Sequence, residues 1–246
     1  MNTLSSILGL SLLGSVLGLA GGLLVLWKEK LARRMSLYLI SFAAGVILSV
    51  ALLDLLPEAI IYGGENVFIL ILVGMVSFFL AEDFILHFHH HESHPHPVKP
   101  VAPLLILGDS IHNFIDGVAI AAAFMADPKL GFIVAVATFF HEIPQEIGDF
   151  VVLLQAGMSK QKVLLANLFS AFMTFAGALL TYFSFNHSRF LMGPLLAVST
   201  GMFLYISSAD ILPELVKKGG RNRWRVASLF LSGIILVFFL GKLLPG

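Results

Sequence analysis

The stretch of residues 101–126 is apolar, yet it carries four side chains that can do polar chemistry: Asp109, His112, Asn113 and Asp116. His112 and Asp116 are four residues apart, so a helix places them on one face, one turn from each other. Asp109 lies near the same stripe, and Asn113 lies about 100° round the helix from His112. The spacing predicts a helix face that presents imidazole nitrogen and carboxylate oxygen together, with an amide oxygen beside them.

The next apolar stretch along the chain carries a second set of such residues. His141, Gln145 and Asp149 follow one another at four-residue spacing and share one helix face. Glu142 and Glu146, together with Asp149, form a second stripe beside the first. Two consecutive helices therefore each offer nitrogen and oxygen donors at one-turn spacing, which is how metal sites between packed helices are built.

The donors in these two stretches restrict the kind of ion that could bind. The chain has no cysteine, so thiolate ligands are excluded. A mixed set of imidazole and carboxylate suits zinc and other borderline divalent ions, whereas calcium and magnesium prefer oxygen ligands. Pro144 removes the backbone hydrogen bond to Phe140, and we expect it to kink the second helix beside the donors.

Composition predicts that these donors lie inside a membrane. Hydrophobic residues make up 58% of the 246 residues and charged residues 12%, against about 45–50% and about 25% in soluble domains. A spanning helix needs about 20 mainly apolar residues. Segments of this kind leave no room for a soluble domain, so we predict an all-α membrane protein with one transmembrane domain over residues 1–246. Eight segments qualify as transmembrane helices: 4–27, 36–60, 66–88, 101–126, 131–156, 160–185, 190–215 and 224–244.

Basic residues are concentrated in alternate loops between these segments. Loops 28–35, 157–162 and 216–225 hold most of the Lys and Arg residues of the chain. The positive-inside rule predicts that these loops are cytoplasmic. A His-rich loop at 87–100 then lies on the cytoplasmic side as well, and both termini are extracytoplasmic.

A short motif occurs twice at the end of a predicted segment. Residues 54–58 read Asp-Leu-Leu-Pro-Glu and residues 210–214 read Asp-Ile-Leu-Pro-Glu, so both fit D-x-L-P-E. We interpret this recurrence as an inverted repeat of transmembrane helices 1–3 and 6–8 around central helices 4 and 5. Transporters built in this way place their site at the interface of the repeats.

Four glycines lie at about four-residue spacing in the first segment: Gly9, Gly14, Gly18 and Gly22. Small residues at this spacing allow helices in a membrane to approach each other closely. We therefore predict that this glycine face packs against another helix.

The two polar motifs together resemble those of the ZIP family of divalent-metal (zinc/iron) transporters. The first reads His-Asn-Phe-Ile-Asp-Gly over residues 112–117, and the second reads His-Glu-Ile-Pro-Gln-Glu over residues 141–146. The eight segments, the external termini and the His-rich loop also fit, so the resemblance covers essentially the whole chain. It implies a paired metal site between segments four and five. The first half of that site would use His112, Asp116, His141 and Gln145, and the second half Asn113 and Glu142.

The resemblance also implies an activity. It implies transport of zinc, with iron, manganese or cadmium as alternatives, toward the cytoplasm, and it implies no enzymatic reaction. The protein would be a homodimer in membrane lipid, with no nucleic-acid partner, and the short loops favour the cell membrane. Two positions depart from the family pattern. Gln145 stands where the family usually has His or a carboxylate, and Thr174 stands where some members have a further carboxylate.

Two other functions compete with transport by a carrier. A zinc-dependent intramembrane protease or hydrolase is the main alternative, because His141 and Glu142 begin the H-E-x-x-H zinc motif. That motif fails at its second His, which is Gln145 here, and Pro144 interrupts the helix. A passive metal channel is the other alternative, and saturable uptake would distinguish a carrier from it.

Overall fold

The structure is a computed structural model that describes residues 2–90, 101–185 and 191–243. Nearly all of these residues are helical, and the described part of the chain contains no β-strand. The predicted all-α class is therefore confirmed. The α-helices are α1 (Thr3–Gly14), α2 (Ala20–Ser49), α3 (Leu56–Gly63), α4 (Val67–His90), α5 (Val101–Ala126), α6 (Pro128–Gln155), α7 (Lys160–Phe185), α8 (Met192–Tyr205), α9 (Leu212–Gly219) and α10 (Arg223–Leu243).

Several helical stretches are long and apolar enough to cross a membrane. Within the described ranges there are five: Thr3–Ala81, Ala102–Ala126, Lys160–Ser184, Met192–Gly219 and Arg223–Leu243. The first contains 79 residues and includes the first two predicted segments and most of the third. α6, which carries His141 and Pro144, is not among the five. The chain is thus a multi-pass membrane protein, while the number of eight crossings and the inverted arrangement stay predictions.

The chain bends between the first and second predicted segments. A 3-10 helix at Val16–Leu19 follows α1, and α2 begins directly after it. Within α2, Lys28 has φ −140° and ψ 64°, which is not helical. This bend coincides with the beginning of the predicted basic loop 28–35.

The recurrence of D-x-L-P-E is also a recurrence of local structure. Each motif begins in a six-residue π-helix, at Val50–Leu55 and at Ile206–Ile211. An eight-residue α-helix with proline in its first turn follows in both places, as α3 and as α9. Each of these helices ends at a glycine with positive φ, 65° at Gly64 and 43° at Gly220. The two parts of the chain therefore adopt the same series of helix types in the same order.

Glycines bring α5 and α7 into backbone contact. A Cβ atom added to Gly117 of α5 would collide with the carbonyl oxygen of Thr174 in α7. A Cβ atom added to Gly177 of α7 would collide with the carbonyl oxygen of Phe114 in α5. Because no side chain separates the two helices at these points, α5 is held at a fixed distance from α7.

The glycine face of α1 and of the segment after it packs on α6, as predicted for three of its four members. Gly14 contacts Thr138, Gly18 contacts Glu142, and Gly22 contacts Phe150 of α6. Gly9 was predicted to belong to this face, but no atom lies near the position of its missing Cβ. The contact therefore begins one turn further along the chain than the spacing indicated.

The predicted His-rich loop 87–100 falls mostly outside the described residues. α4 continues as a helix through His90, and the described part of the chain resumes at residue 101. The cytoplasmic loop stays a prediction.

We expect Gly117→Ala to destabilise the protein, because the new methyl group forces α5 away from α7. Overpacking of this kind costs about 1–3 kcal/mol, which lowers the melting temperature of a chain of this size by about 2–12 °C. Thermal unfolding of the purified protein in detergent measures the change. Gly9→Ala is the matched control, since its methyl group meets open space. Equal melting temperatures for the two variants would contradict the close approach of α5 and α7.

Candidate metal site

Four buried side chains from α5 and α6 converge at one point. They are His112 and Asp116 of α5, and His141 and Glu142 of α6. One ligand atom from each of the four lies within 4.8 Å of all the others. We refer to these residues as the quartet. The two residues predicted to share one face of α5 and the first two residues of the α6 motif therefore form a single cluster.

The distances within the quartet are those of ligands around one small ion. Nε2 of His141 lies 3.0 Å from Oδ2 of Asp116 and 3.2 Å from Nε2 of His112. His112 Nε2 lies 3.5 Å from the same Asp116 oxygen and 3.6 Å from Oε1 of Glu142. Tetrahedral zinc with bonds of about 2.0–2.1 Å separates its ligand atoms by about 3.3–3.4 Å. The four separations are therefore close to those of a tetrahedral zinc site.

Hydrogen bonding directs the lone pair of His141 toward the centre of the quartet. Its Nδ1 lies 3.1 Å from the carbonyl oxygen of Ala137, one turn earlier in α6. A carbonyl oxygen only accepts, so it stabilises a proton on Nδ1, and the neutral ring with that proton presents the lone pair of Nε2 to the quartet. That is the tautomer in which histidine binds a metal.

The carboxylates of the quartet lack other partners in the described part of the chain. Oδ1 of Asp116 and both carboxylate oxygens of Glu142 are buried and accept no hydrogen bond there. Buried carboxylates without partners are unfavourable in a membrane protein and usually mark an ion or proton pathway. The arrangement is therefore suited to a divalent cation that compensates both negative charges.

Backbone packing gives the quartet its position. Gly18 lets the chain after α1 lie directly against Glu142, because a side chain at that residue would collide with the Glu142 Cβ atom. α6 continues as an α-helix past Pro144 to Gln155, so His141 and the residues after Pro144 belong to one element. Helix α5 is fixed from its other side by α7.

The remaining predicted ligands lie beside the quartet and bind other partners. Nε2 of Gln145 donates a hydrogen bond to Oδ1 of Asp109, at 3.0 Å. Nδ2 of Asn113 donates to the same Asp109 oxygen at 3.1 Å. On its other side, Oδ1 of Asn113 lies 2.7 Å from Oγ of Ser15 and 3.0 Å from Oγ1 of Thr174. Thr174 was singled out in the sequence, whereas no local pattern distinguishes Ser15.

A cavity of about 540 Å³ leads away from the quartet. His112, His141 and Gln145 line its inner end. At its outer end are residues that adjoin the basic loops, including Ser36 of α2 and Lys218 of α9. The lining of the cavity also carries four carboxylates: Asp109, Asp149, Asp210 and Glu214. The quartet is therefore connected to the side of the protein on which loops 28–35 and 216–225 lie.

The protein has helices able to span a membrane, and a buried cluster of His and carboxylate side chains opens into a cavity. These features define a polytopic membrane protein with a candidate metal site. The model of the family described as ZIP zinc transporter matches residues 89–241, which is more than half of the chain. The chain belongs to this family, and the resemblance found in the sequence is confirmed.

Individual relatives carry the same family name. Zinc transporter ZIP10 of Danio rerio is 43% identical over 119 residues, which are 48% of this chain and 14% of the relative. Zinc transporter ZIP4 of Homo sapiens is 41% identical over 132 residues, 54% of this chain and 20% of the relative. Zinc transporter ZIP6 of Homo sapiens is 36% identical over 145 residues, which are 57% of this chain and 19% of the relative. The chain thus aligns with about a fifth or less of the length of these relatives.

We expect His141→Ala to lower the zinc affinity of the purified protein by at least about tenfold, since loss of one buried ligand costs more than about 1.4 kcal/mol. Isothermal titration in detergent measures the affinity. His141→Cys is the matched variant, because a thiolate is also a zinc ligand and should restore part of the binding. Unchanged affinity in the alanine variant would contradict the quartet as a metal site.

Proposed function

We propose that this chain carries a divalent transition-metal ion, zinc before others, across a membrane through the quartet of α5 and α6. The main support for this proposal is the geometry of the quartet. Two adjacent helices contribute four buried ligand atoms that lie within 4.8 Å of one another. The membership of the family and the names of the relatives support zinc as the substrate. Iron, manganese and cadmium use overlapping ligand types and are alternative substrates.

Each residue of the quartet has a role in this proposal. His112 and His141 supply neutral nitrogen donors, which favour zinc over calcium and magnesium. Asp116 and Glu142 supply the negative charge that stabilises the dehydrated ion. Gln145, at the inner end of the cavity, offers its amide oxygen to the ion as it leaves the quartet. An amide oxygen is neutral, so it holds the ion less strongly than a carboxylate would.

The cavity supports movement toward the cytoplasm. Its outer end adjoins the loops rich in Lys and Arg, and such loops are cytoplasmic in membrane proteins. The carboxylates Asp149 and Asp210 along its wall attract cations and lower the energy of an ion in the cavity, whereas Glu214 is paired with Lys218. In this conformation the quartet is open to the cytoplasm.

The membrane arrangement completes the proposal. Eight transmembrane helices, with helices 1–3 and 6–8 related as an inverted repeat, place both termini outside the cell membrane. The repeated π-helix, proline and glycine series supports this arrangement. Exposed apolar side chains such as Phe68 of α4, Phe169 of α7 and Phe238 of α10 supply surfaces for lipid and for a second copy in a homodimer.

The protease or hydrolase alternative gains no support from the relatives, whose names are those of transporters. The side chain that would be the second His of H-E-x-x-H is Gln145, and its amide nitrogen is bound to Asp109. We therefore propose a carrier and no enzymatic reaction.

We expect the purified protein in sealed liposomes to take up zinc with saturable kinetics, because a carrier has a limited number of sites. Uptake should fall to the level of empty liposomes in His141→Ala and in Asp116→Ala, which lose one quartet ligand each. A zinc-sensitive dye inside the vesicles gives the rate. Gly9→Ala, remote from the quartet, should retain wild-type uptake. Equal uptake by the wild type and both quartet variants would overturn the proposed pathway, and uptake that rises linearly with zinc would favour a channel.

The orientation can be tested with single cysteines, because the chain has none of its own. Glu65 and Lys217 are exposed and lie in loops predicted to be on opposite sides of the membrane. A membrane-impermeant maleimide added to intact cells should label Glu65→Cys and leave Lys217→Cys unlabelled until the cells are permeabilised. The reverse pattern would show that the cavity opens outward and would contradict the proposed direction.

A further inference from the structure

The amide group of Asn113 has every hydrogen-bonding position occupied. Nδ2 donates its two protons to the backbone oxygen and Oδ1 of Asp109, at 3.2 and 3.1 Å. Oδ1 accepts from Thr174 Oγ1 at 3.0 Å and from Ser15 Oγ at 2.7 Å. Ser15 Oγ also lies 3.0 Å from the carbonyl oxygen of Ala171, so its single proton is shared between two acceptors, of which Asn113 Oδ1 is the nearer.

These bonds also fix which way the amide points. Both atoms of Asp109 that face Asn113 are acceptors, so the amide nitrogen must be on that side. The amide oxygen then faces two hydroxyl groups, and its two lone pairs are both in use. Asn113 is completely buried, so water does not compete for these positions. Its oxygen has no lone pair left for a metal ion.

The groups beside Asn113 are also engaged or are poor zinc ligands. Oδ1 of Asp109 already accepts hydrogen bonds from Asn113 and Gln145. Thr174 contributes a neutral hydroxyl group, which is not among the usual protein ligands of zinc. The unpartnered oxygens of Asp116 and Glu142 belong to carboxylates that already take part in the quartet.

We infer that the site between α5 and α6 holds a single ion, and that Asn113 positions α5 where the family resemblance implied a ligand of a second ion. Through Ser15 and Thr174, Asn113 ties α5 to the end of α1 and to α7. Through Asp109 it also reaches Gln145, which lines the cavity. This inference rests on the proposed function, since it concerns the number of ions in the same site.

The number of zinc ions at the site tests the inference directly. Elemental analysis of the purified full-length protein, equilibrated with zinc, gives total zinc per chain. The double variant Asp116→Ala, Glu142→Ala removes the charged ligand of each half of the site and gives the zinc bound elsewhere, including any on the loop histidines. We expect a difference of one ion. A difference of two would overturn the single-ion inference, whereas no difference would contradict the metal site of the proposed function instead.

A second variant tests the role of Thr174. Thr174→Glu replaces the hydroxyl group that caps Asn113 with a carboxylate, so it both frees the amide oxygen and supplies a charged ligand. We expect the difference from the double variant to rise from one ion to two. Thr174→Gln has the same size without the charge, and Thr174→Ser keeps the hydroxyl group, so both should remain at one ion. A folded Thr174→Glu protein that still binds one ion, judged by a symmetric gel-filtration peak, would overturn the role given to Thr174.

Discussion

The central constraint on this protein is the burial of two carboxylates and two imidazoles in a membrane interior, where the described residues provide no ammonium or guanidinium partner to the quartet. Asp116 and Glu142 are fully buried, and the groups that approach their oxygens are His112 and His141. A cation placed between the four side chains neutralises the carboxylates and uses the lone pairs of the imidazoles. The packing of α1 and α7 around α5 and α6 keeps the four polar side chains together.

The local part of this arrangement could be predicted from the sequence. Spacing alone placed His112 and Asp116 on one face of a helix, and it placed His141 and Glu142 on the following helix. The spacing of glycines predicted a close contact with another helix but not that α6 is the partner, and Gly9 lies outside the contact. Such patterns can be recognised in a sequence because the helix period determines which side of a helix each residue faces.

The non-local part could not be predicted, because it depends on how distant segments pack. Ser15 donates a hydrogen bond to Asn113, which lies 98 residues further along the chain, and nothing in the neighbourhood of Ser15 indicates this. Gln145 looks like a ligand by its position in the motif, yet its amide nitrogen is bound to Asp109 on the other helix. The π-helices at the two D-x-L-P-E motifs were also unforeseen, since no residue type specifies the extra residue per turn.

The contact of α5 with α7 has a mechanical consequence. At Gly117 and Gly177 the two backbones touch, so neither helix can slide or tilt against the other without breaking several backbone contacts at once. The pair therefore moves as one rigid unit. In the proposed carrier, an ion held at the quartet would move with both helices. Closure of the cavity and exposure of the quartet to the opposite side would then require movement where this unit meets its other neighbours, such as α4 and α8.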